Sequence, residues 1–367
     1  MAKVRVFFAT NRNHLEDNKL QVFGKAFNPD GVAALRFGYA DYESDPVKPK
    51  LQAVHVYPDV KGETDIAKTG GGMFMQALHQ AMSNTKKTDT LVFIHGFNVS
   101  FMGALEAGAL LGQSLKIKDP DETQERLVNV VVFSWPSDGS AVPLMSYYSD
   151  REDARVSGPA VARAFLKLRD FITEMPNTEY CQRRIHLLAH SMGNYVLRNG
   201  VQALIAKDRD SLVRLFDQIM LVAADEDDDT FEHDNKLRLL PRIGRQVTVY
   251  YNPTDRALLI SDKTKANPDR LGSDGPRLVD LLPKKVVLVD CRHVARGADR
   301  KAHHGYYVRS VAMERDMRAV MSDRPPDEIA NRTFVDRIRS WRLVQEFGEK
   351  DVELPTPAEP EGPDIRG

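Results

Sequence analysis

The segment 184–197, Arg-Ile-His-Leu-Leu-Ala-His-Ser-Met-Gly-Asn-Tyr-Val-Leu, constrains the fold of this chain more than any other stretch. The mostly apolar residues 185–188 predict a short buried strand, and apolar residues recur at helical spacing after Gly193. Ser191 therefore falls in a very tight turn between a strand and a helix. Ala189 lies two residues before the serine and Gly193 two residues after it, so both flanking positions are small.

Small residues around Ser191 have a steric explanation. In a nucleophile elbow the serine backbone is strained, and strand and helix approach so closely that larger side chains would clash. The helix that follows offers free N–H groups and a positive dipole end where an oxyanion would form. The motif is short, however, and an ordinary strand-end serine is the alternative. Ser137 and Ser273 also precede an x-Gly pair, but neither has a small residue two positions before it.

Strands and helices alternate through most of the chain. Three strands near the N-terminus, at 4–9, 33–39 and 51–57, have no helix-length pattern between them and predict an antiparallel β start. Helices at 73–82, 101–115 and 161–175 then alternate with almost wholly apolar strands at 90–94, 128–133, 185–188, 218–223, 246–251 and 285–289. Such strands are typical of a mostly parallel central sheet covered by helices on both faces, which makes the predicted fold class α/β.

The length and composition favour one large α/β domain followed by a short extension. With 367 residues, 42% of them hydrophobic and 28% charged, the chain is an ordinary globular one. We expect residues 1–310 to form the α/β domain. Residues 311–347 are predicted to be a helical C-terminal extension packed on it, because Val335, Ile338 and Trp341 continue a helical spacing. Residues 348–367, rich in Pro and Glu, are predicted to be a disordered tail.

Charge and cysteine content exclude several classes of protein. A formal net charge of −1 without long basic blocks argues against a nucleic-acid partner. Two cysteines imply neither a disulfide framework nor a cysteine metal cluster. The apolar run at the N-terminus is too short for a signal peptide, and no segment has the length of a membrane-spanning helix. We therefore expect a cytoplasmic protein without integral membrane association; its oligomeric state is not predicted.

The other strand ends carry residues that an active serine would need. His95, Gly96, Phe97 and Asn98 follow the strand at 90–94. An HG turn at this position is where one oxyanion donor is expected, the other being the N–H of the residue after the nucleophile. The predicted donors are the backbones of Phe97 and Met192. A plain strand-to-helix turn with a convenient glycine is the alternative.

A serine nucleophile also needs a base, and the base needs an orienting acid. Asp255 follows the strand at 246–251, and the pair His303 and His304 comes after the strand at 285–289, so serine, acid and histidine occur in that order. From position alone either histidine could reach Ser191. Asp225, directly after the strand at 218–223, is an alternative acid.

Several motifs together resemble the α/β-hydrolase superfamily, and within it the bacterial lipase/esterase-like branch of uncharacterised function. The motifs span roughly residues 4–310: Val-Phe-Phe-Ala-Thr-Asn-Arg at 6–12, Phe-Ile-His-Gly-Phe-Asn at 93–98, Val-Phe-Ser-Trp-Pro-Ser-Asp-Gly-Ser at 132–140, Ala-His-Ser-Met-Gly-Asn at 189–194, Asn-Pro-Thr-Asp-Arg-Ala-Leu at 252–258 and His-Gly-Tyr-Tyr at 304–307. The resemblance implies Ser191 as nucleophile, Asp255 as acid and His304 as base. Ala189 replaces the more usual glycine, and the doubled histidine leaves His303 as a second candidate.

Other polar residues near these strand ends have structural alternatives. The acidic run 225–229, with His233 nearby, fits either a hard-metal site or a solvated loop, and we favour the loop. We expect His95 to hydrogen-bond within its turn and His190 to line the site or pack beside the elbow. Trp135 is either a pocket wall or part of the core. No metal or cofactor is expected.

The sequence thus predicts a serine hydrolase that cleaves a small-molecule or lipid-like carboxylic ester through an acyl-enzyme. Only about twenty residues separate the strands at 218–223 and 246–251, enough for one helix at 231–240 but not for a cap domain. The loop 258–282 would then be a partial cover over a fairly open site. Two other functions stay open: a non-catalytic binding module of the same fold, and a metal-dependent hydrolase built on residues 225–229.

Overall fold

One large sheet organises the computed structural model, which describes residues 3–15, 22–59, 62–83, 89–117, 125–137, 143–174, 183–258, 269–298 and 302–345. Within these ranges the strands are β1 (Lys3–Thr10), β2 (Arg12–His14), β3 (Phe23–Phe27), β4 (Arg36–Glu43), β5 (Lys50–Val56), β6 (Thr90–Ile94), β7 (Lys116–Ile117), β8 (Arg126–Leu127), β9 (Asn129–Ser134), β10 (Ile185–His190), β11 (Phe216–Val222), β12 (Gly244–Tyr251), β13 (Val286–Asp290), β14 (Arg332–Val335) and β15 (Ser340–Leu343). The main sheet has the order β14-β15-β13-β12-β11-β10-β6-β9-β1-β4-β5.

The centre of this sheet is parallel, as predicted. From β1 through β9, β6, β10, β11, β12 and β13 to β15, each neighbouring pair runs parallel. Ala189 on β10 pairs with Ile94 on one side and with Leu221 on the other. The carboxyl ends of β6, β10, β11 and β12 therefore lie side by side at one edge of the sheet. Open α/β sheets generally bind their ligands and substrates at this edge.

The N-terminal strands form the predicted antiparallel part. β1 pairs antiparallel with β4, and β4 with β5. β1 also pairs in parallel with β9, so it joins the antiparallel flank to the parallel centre. Two small ribbons, β2 with β3 and β7 with β8, lie outside the main sheet.

Helices cover both faces of the sheet. They are α1 (Gly70–Ser83), α2 (Phe101–Ser114), α3 (Pro143–Val156), α4 (Gly158–Glu174), α5 (Gly193–Lys207), α6 (Leu271–Asp274), α7 (Arg292–Ala298) and α8 (Val311–Met321). Alternate strand residues enter two separate apolar clusters: on β9, Val131 and Phe133 pack in one, and Val130 and Val132 in the other. The first cluster takes in α1, α4 and α5, and the second takes in α2 and α8. Because both faces are buried, the central parallel strands are mostly apolar.

The C-terminal extension begins with α8, as predicted, but the second helix predicted there is a β-hairpin. Val335 and Trp341, assigned to a helix from their spacing, lie in β14 and β15, and Ile338 lies in the turn between them. β15 extends the sheet beyond β13, with Trp341 opposite Val289. Three apolar residues are too few to define a helical period, and the hydrogen bonds offered by the edge of β13 decide the structure. The predicted tail at 348–367 lies outside the described residues.

Two further expectations concern the cover of the site. The helix predicted at 231–240 is a series of turns that ends in a 3₁₀ turn, Leu240–Arg242. Of the loop 258–282, residues 259–268 are outside the described ranges; the remainder contains α6, whose Gly272 packs on the backbone of Ala224 just after β11. Within the described ranges, none of the helices is both long and apolar enough to cross a bilayer.

Candidate active site

Ser191 occupies the turn between β10 and α5 in a left-handed conformation, with φ of 52°. A non-glycine residue in this region costs on the order of 1–3 kcal/mol and is retained where the surrounding structure enforces it. The Ser191 N–H donates to Val222 O at 3.0 Å. At Gly193 an added Cβ would lie 2.5 Å from Ile94 O and 2.6 Å from His95 O. The predicted steric reason for a small residue at this position is therefore present in the fold.

The Asn194 side chain stabilises the elbow by hydrogen bonds to its backbone, a role that was not predicted from the sequence. Its side-chain Nδ2 donates to Ala189 O and to Ser191 O, both at 3.0 Å. Ser191 O also accepts from the backbone N–H of Asp225 at 3.2 Å. The carbonyl of the serine is thus held from two sides, which compensates the strain of its backbone.

The HG turn after β6 lies directly against the elbow. An added Cβ at Gly96 would stand 2.9 Å from Ser191 Cβ and 3.1 Å from His190 Nδ1, so only glycine allows this approach. Neither Phe97 N–H nor Met192 N–H donates a hydrogen bond to any residue in the described part of the chain. Unpaired N–H groups in a packed turn are rare. Two such groups beside one serine are suited to bind a developing oxyanion.

Asp255 and His304 form the carboxylate–imidazole pair of the site. Asp255 Oδ2 is 2.7 Å from His304 Nδ1, and the carboxylate is completely buried. Its other oxygen, Oδ1, accepts the backbone N–H groups of Ala257 and Leu258, both at 3.0 Å. Because Nδ1 faces the carboxylate, Nε2 of His304 is the nitrogen that would accept a proton from a nucleophile. The His304 side chain keeps 16% of its surface exposed.

His190 connects this pair to the elbow. It directly precedes Ser191, and its ring centroid is 4.7 Å from that of His304 and 4.4 Å from that of Tyr307. His190 Nε2 also lies 3.3 Å from His304 O. The structure therefore places His190 beside the elbow, packed on the histidine of the pair.

The two alternative residues are engaged elsewhere. His303 Nδ1 is 2.9 Å from Thr254 O, and Asn252 Nδ2 donates to His303 O at 2.8 Å, so His303 ties its loop to the turn after β12. The carboxylate of Asp225 accepts the hydroxyl of Tyr147 at 2.6 Å. Its other oxygen lies 3.5 Å from Arg270 Nε. Asp255 and His304 are thus in contact with each other, whereas these contacts of Asp225 and His303 go to other groups.

The acidic run 225–229 is neutralised by basic side chains. Asp227 pairs with Arg270 at 2.7 Å and with Lys236 at 2.9 Å, and Lys236 also contacts Asp229. Glu226 lies 3.3 Å from Arg198, and its burial raises its pKa to about 7. Among the residues that the structure describes, no three His, Cys, Asp or Glu side chains are grouped to hold a metal ion. The run is therefore a loop, but the expectation that it is solvated is wrong, because Asp225, Glu226, Asp228 and Asp229 are buried and basic side chains balance the charge.

His95 and Trp135 form a buried stack behind the HG turn. Their rings are 5.4 Å apart at an interplanar angle of 8°. His95 Nδ1 contacts Gly96 O at 3.0 Å, as expected for a bond within the turn, while Nε2 faces the backbone N–H of Trp135 at 3.3 Å. Trp135 is fully buried, so of its two predicted roles the structure supports the core. Burial and the nearby charge of Arg12 lower the pKa of His95 to about 3, which keeps its ring neutral.

An elbow at the end of a central parallel strand, with an acid and a histidine after the next strands, defines the class of α/β hydrolases. A sequence model of the family described as "Alpha/beta hydrolase of unknown function (DUF900)" matches residues 73–324, and the chain belongs to this family.

The proteins that match this chain include one relative by sequence and one solved structure. The uncharacterized protein alr1448 of Nostoc sp. is 29% identical over 221 residues, which are 54% of this chain and 51% of that protein. This chain thus matches about half the length of that relative. Among solved structures, an acylaminoacyl peptidase of Pyrococcus horikoshii has a TM-score of 0.35 and 8% identity, covering 78% of this chain and 39% of its own. A likeness at this level carries no inference about activity.

Proposed function

We propose that this protein is a serine hydrolase that cleaves a carboxylic ester through an acyl-enzyme, with Ser191, His304 and Asp255 as its catalytic triad. The observation that carries the proposal is the 2.7 Å contact between Asp255 Oδ2 and His304 Nδ1, packed beside a left-handed serine elbow. A buried carboxylate that holds Nδ1–H selects the tautomer whose Nε2 accepts a proton from serine.

The first half of the reaction transfers the acyl group to the enzyme. Ser191 Oγ bonds to the ester carbonyl carbon while its proton moves to Nε2 of His304, and the carbonyl oxygen becomes an oxyanion. The N–H groups of Phe97 and Met192 stabilise that charge, by about 3 kcal/mol per donor at comparable sites. Collapse of the intermediate breaks the bond to the alcohol oxygen, and the alcohol leaves with the proton from His304.

The second half returns the enzyme to its starting state. His304 removes a proton from water, the hydroxide oxygen bonds to the acyl carbon, and collapse releases the acid while Ser191 regains its proton. The buried charge of Asp255 stabilises the imidazolium in both halves. A small-molecule or lipid-like ester, met in the cytoplasm, is the substrate class that we propose, and transfer to another hydroxyl acceptor would use the same acyl-enzyme.

A fluorophosphonate probe tests the nucleophile directly, because it forms a covalent adduct with an activated serine. Wild type, Ser191→Ala and a control variant, Ser273→Ala, would be labelled side by side. Ser273 is buried and, like Ser191, has a glycine two residues after it, but the residue two positions before it is Leu271, which is not small. We expect wild type and Ser273→Ala to react with the probe and Ser191→Ala to remain unlabelled. Adding a chelator should not change the labelling of wild type or of Ser273→Ala. Equal labelling of wild type and Ser191→Ala, or no labelling of either, would contradict the proposal.

A further inference from the structure

Arg12 is a fully buried arginine at the start of β2, directly after the first strand of the main sheet. Its guanidinium donates to four groups: Val99 O at 2.8 Å, Ser134 Oγ at 3.0 Å, Gly24 O at 3.1 Å and Ser137 O at 3.3 Å. A planar guanidinium with five N–H donors can bind several acceptors at fixed angles, which a lysine ammonium cannot reproduce.

Three of these four acceptors belong to the segments that form the HG turn and its support. Val99 follows Phe97 by two residues, at the exit of the turn. Ser134 and Ser137 flank Trp135, whose ring stacks on His95. Arg12 therefore joins the exit of the turn to the segment on which the turn rests.

A second layer of hydrogen bonds depends on the same alignment. Asn98, left-handed with φ of 55°, donates its backbone N–H to Asp150 Oδ2 at 3.2 Å. Ser137 Oγ donates to the same carboxylate oxygen at 2.9 Å, and it accepts the Val99 N–H at 3.4 Å. The strained backbone of Asn98 directly follows the proposed oxyanion donor Phe97. Any shift of Val99 or Ser137 would therefore turn the Phe97 N–H.

We propose that Arg12 is a positioning residue for the oxyanion hole: by binding Val99 O and Ser137 O it sets the direction of the Phe97 N–H. This inference rests on the proposed function for its catalytic consequence. Arg12 does not touch the reacting atoms. Its effect is to fix the geometry of a donor before the substrate arrives, and a misplacement of about 1 Å can cost on the order of 10²-fold in rate.

The kinetic test compares Arg12→Lys with Arg5→Lys. Arg5 lies on β1, the strand directly before β2, but forms an exposed ion pair with Asp41, so its replacement controls for the chemistry of the exchange. Rates on a 4-nitrophenyl ester would be divided by the concentration of sites titrated with fluorophosphonate, which removes unfolded protein from the comparison. For Arg12→Lys we expect kcat to fall about 10²-fold with KM within about threefold of wild type, and no change for Arg5→Lys. An unchanged kcat per titrated site, or a rise in KM alone, would overturn the proposal.

Amide hydrogen exchange tests the same inference without relying on activity. In Arg12→Lys the amides of Asn98 and Val99 should exchange at least about tenfold faster than in wild type, because their acceptors lose alignment. The amides of β10 should be unchanged in both variants. If exchange is faster in Arg12→Lys but the wild-type protein does not react with fluorophosphonate, the proposed function is contradicted and the structural role of Arg12 is supported. If both amide exchange and ester hydrolysis are unchanged in Arg12→Lys, the role of Arg12 is contradicted and the proposed function is unaffected.

Discussion

Asp255 Oδ2 lies 2.7 Å from Nδ1 of His304, although 49 residues separate the two along the chain. The contact brings the turn after β12 against the segment that follows α7, and both rest beside the elbow of Ser191.

Asp255→Asn should leave the fold intact and strongly reduce turnover. An amide in place of the carboxylate favours the wrong imidazole tautomer and cannot stabilise the imidazolium, so kcat should fall about 10⁴-fold with little change in KM. Steady-state hydrolysis of a 4-nitrophenyl ester measures the effect. Asp225→Asn is the matched control, because Asp225 also follows a strand and is also buried. A larger loss for Asp225→Asn than for Asp255→Asn would reverse the assignment of the acid.

The adjacent histidines should differ sharply in their effect on activity. His304→Ala removes the proposed base, and turnover should fall on the order of 10⁴- to 10⁶-fold. His303 has φ of 54°, a conformation that asparagine tolerates, so His303→Asn should keep the loop and stay within about tenfold of wild type. Single-turnover acylation by an activated ester reports the first half-reaction for both variants. Comparable losses would mean that His303 takes part in proton transfer.

Gly96→Ala should disturb the elbow without replacing any residue of the proposed triad. The added methyl group would stand 2.9 Å from Ser191 Cβ, so the turn and the elbow must move apart, at a cost of roughly 1–3 kcal/mol in the free energy of unfolding. We expect the rate constant of fluorophosphonate labelling to fall at least about tenfold, as the turn moves from its donor position. Gly103→Ala is the control, because its Cβ would be 3.4 Å from the nearest atom and would lie in helix α2. A normal labelling rate for Gly96→Ala would show that the approach of the turn is not required.

His95 should make the folded protein sensitive to acid. Its pKa is lowered from 6.5 to about 3, so between these pH values the unfolded chain binds a proton that the folded chain does not. The free energy of unfolding should therefore fall as the pH falls from 6.5, by up to about 1.4 kcal/mol per pH unit. Urea unfolding at several pH values should give a shallower slope for His95→Asn, and an unchanged slope for a variant of the exposed His14, His14→Asn. Identical slopes for wild type and His95→Asn would rule out a neutral buried ring.

Local patterns were sufficient for most of the parallel sheet. The strand predicted at 90–94 is β6 to the residue, because an unbroken apolar run ends there at polar and glycine residues. The hairpin β14–β15 was missed because its partner strand, β13, lies about fifty residues earlier in the chain. Pairing at that distance leaves no periodic signal in a short segment.

The sequence allowed candidate site residues to be named, but it did not allow every choice among them to be made. Asp225 and Asp255 both follow a strand, so their positions in the sequence did not distinguish them. Only the fold reveals that Asp225 accepts the hydroxyl of Tyr147, whereas Asp255 faces His304. The roles of Asn194 and Arg12 depend on carbonyl groups brought together by distant segments. A single sequence gives no sign of such contacts beyond the presence of polar residues near the motifs.

The β14–β15 hairpin also bears on how copies of this chain behave toward one another. Without it, the parallel strand β13 would end the sheet with free N–H and C=O groups along Val-Val-Leu-Val, a ready template for pairing with another molecule. The hairpin pairs with the carboxyl end of that edge, at Val289 and Asp290, and places the four-residue strand β14 outside it. Arg332 of β14 is bound to Asp316 of α8 at 2.6 Å. A short edge anchored by a buried ion pair offers little to a second chain. We therefore expect the C-terminal extension to reduce edge-to-edge pairing at this end of the main sheet.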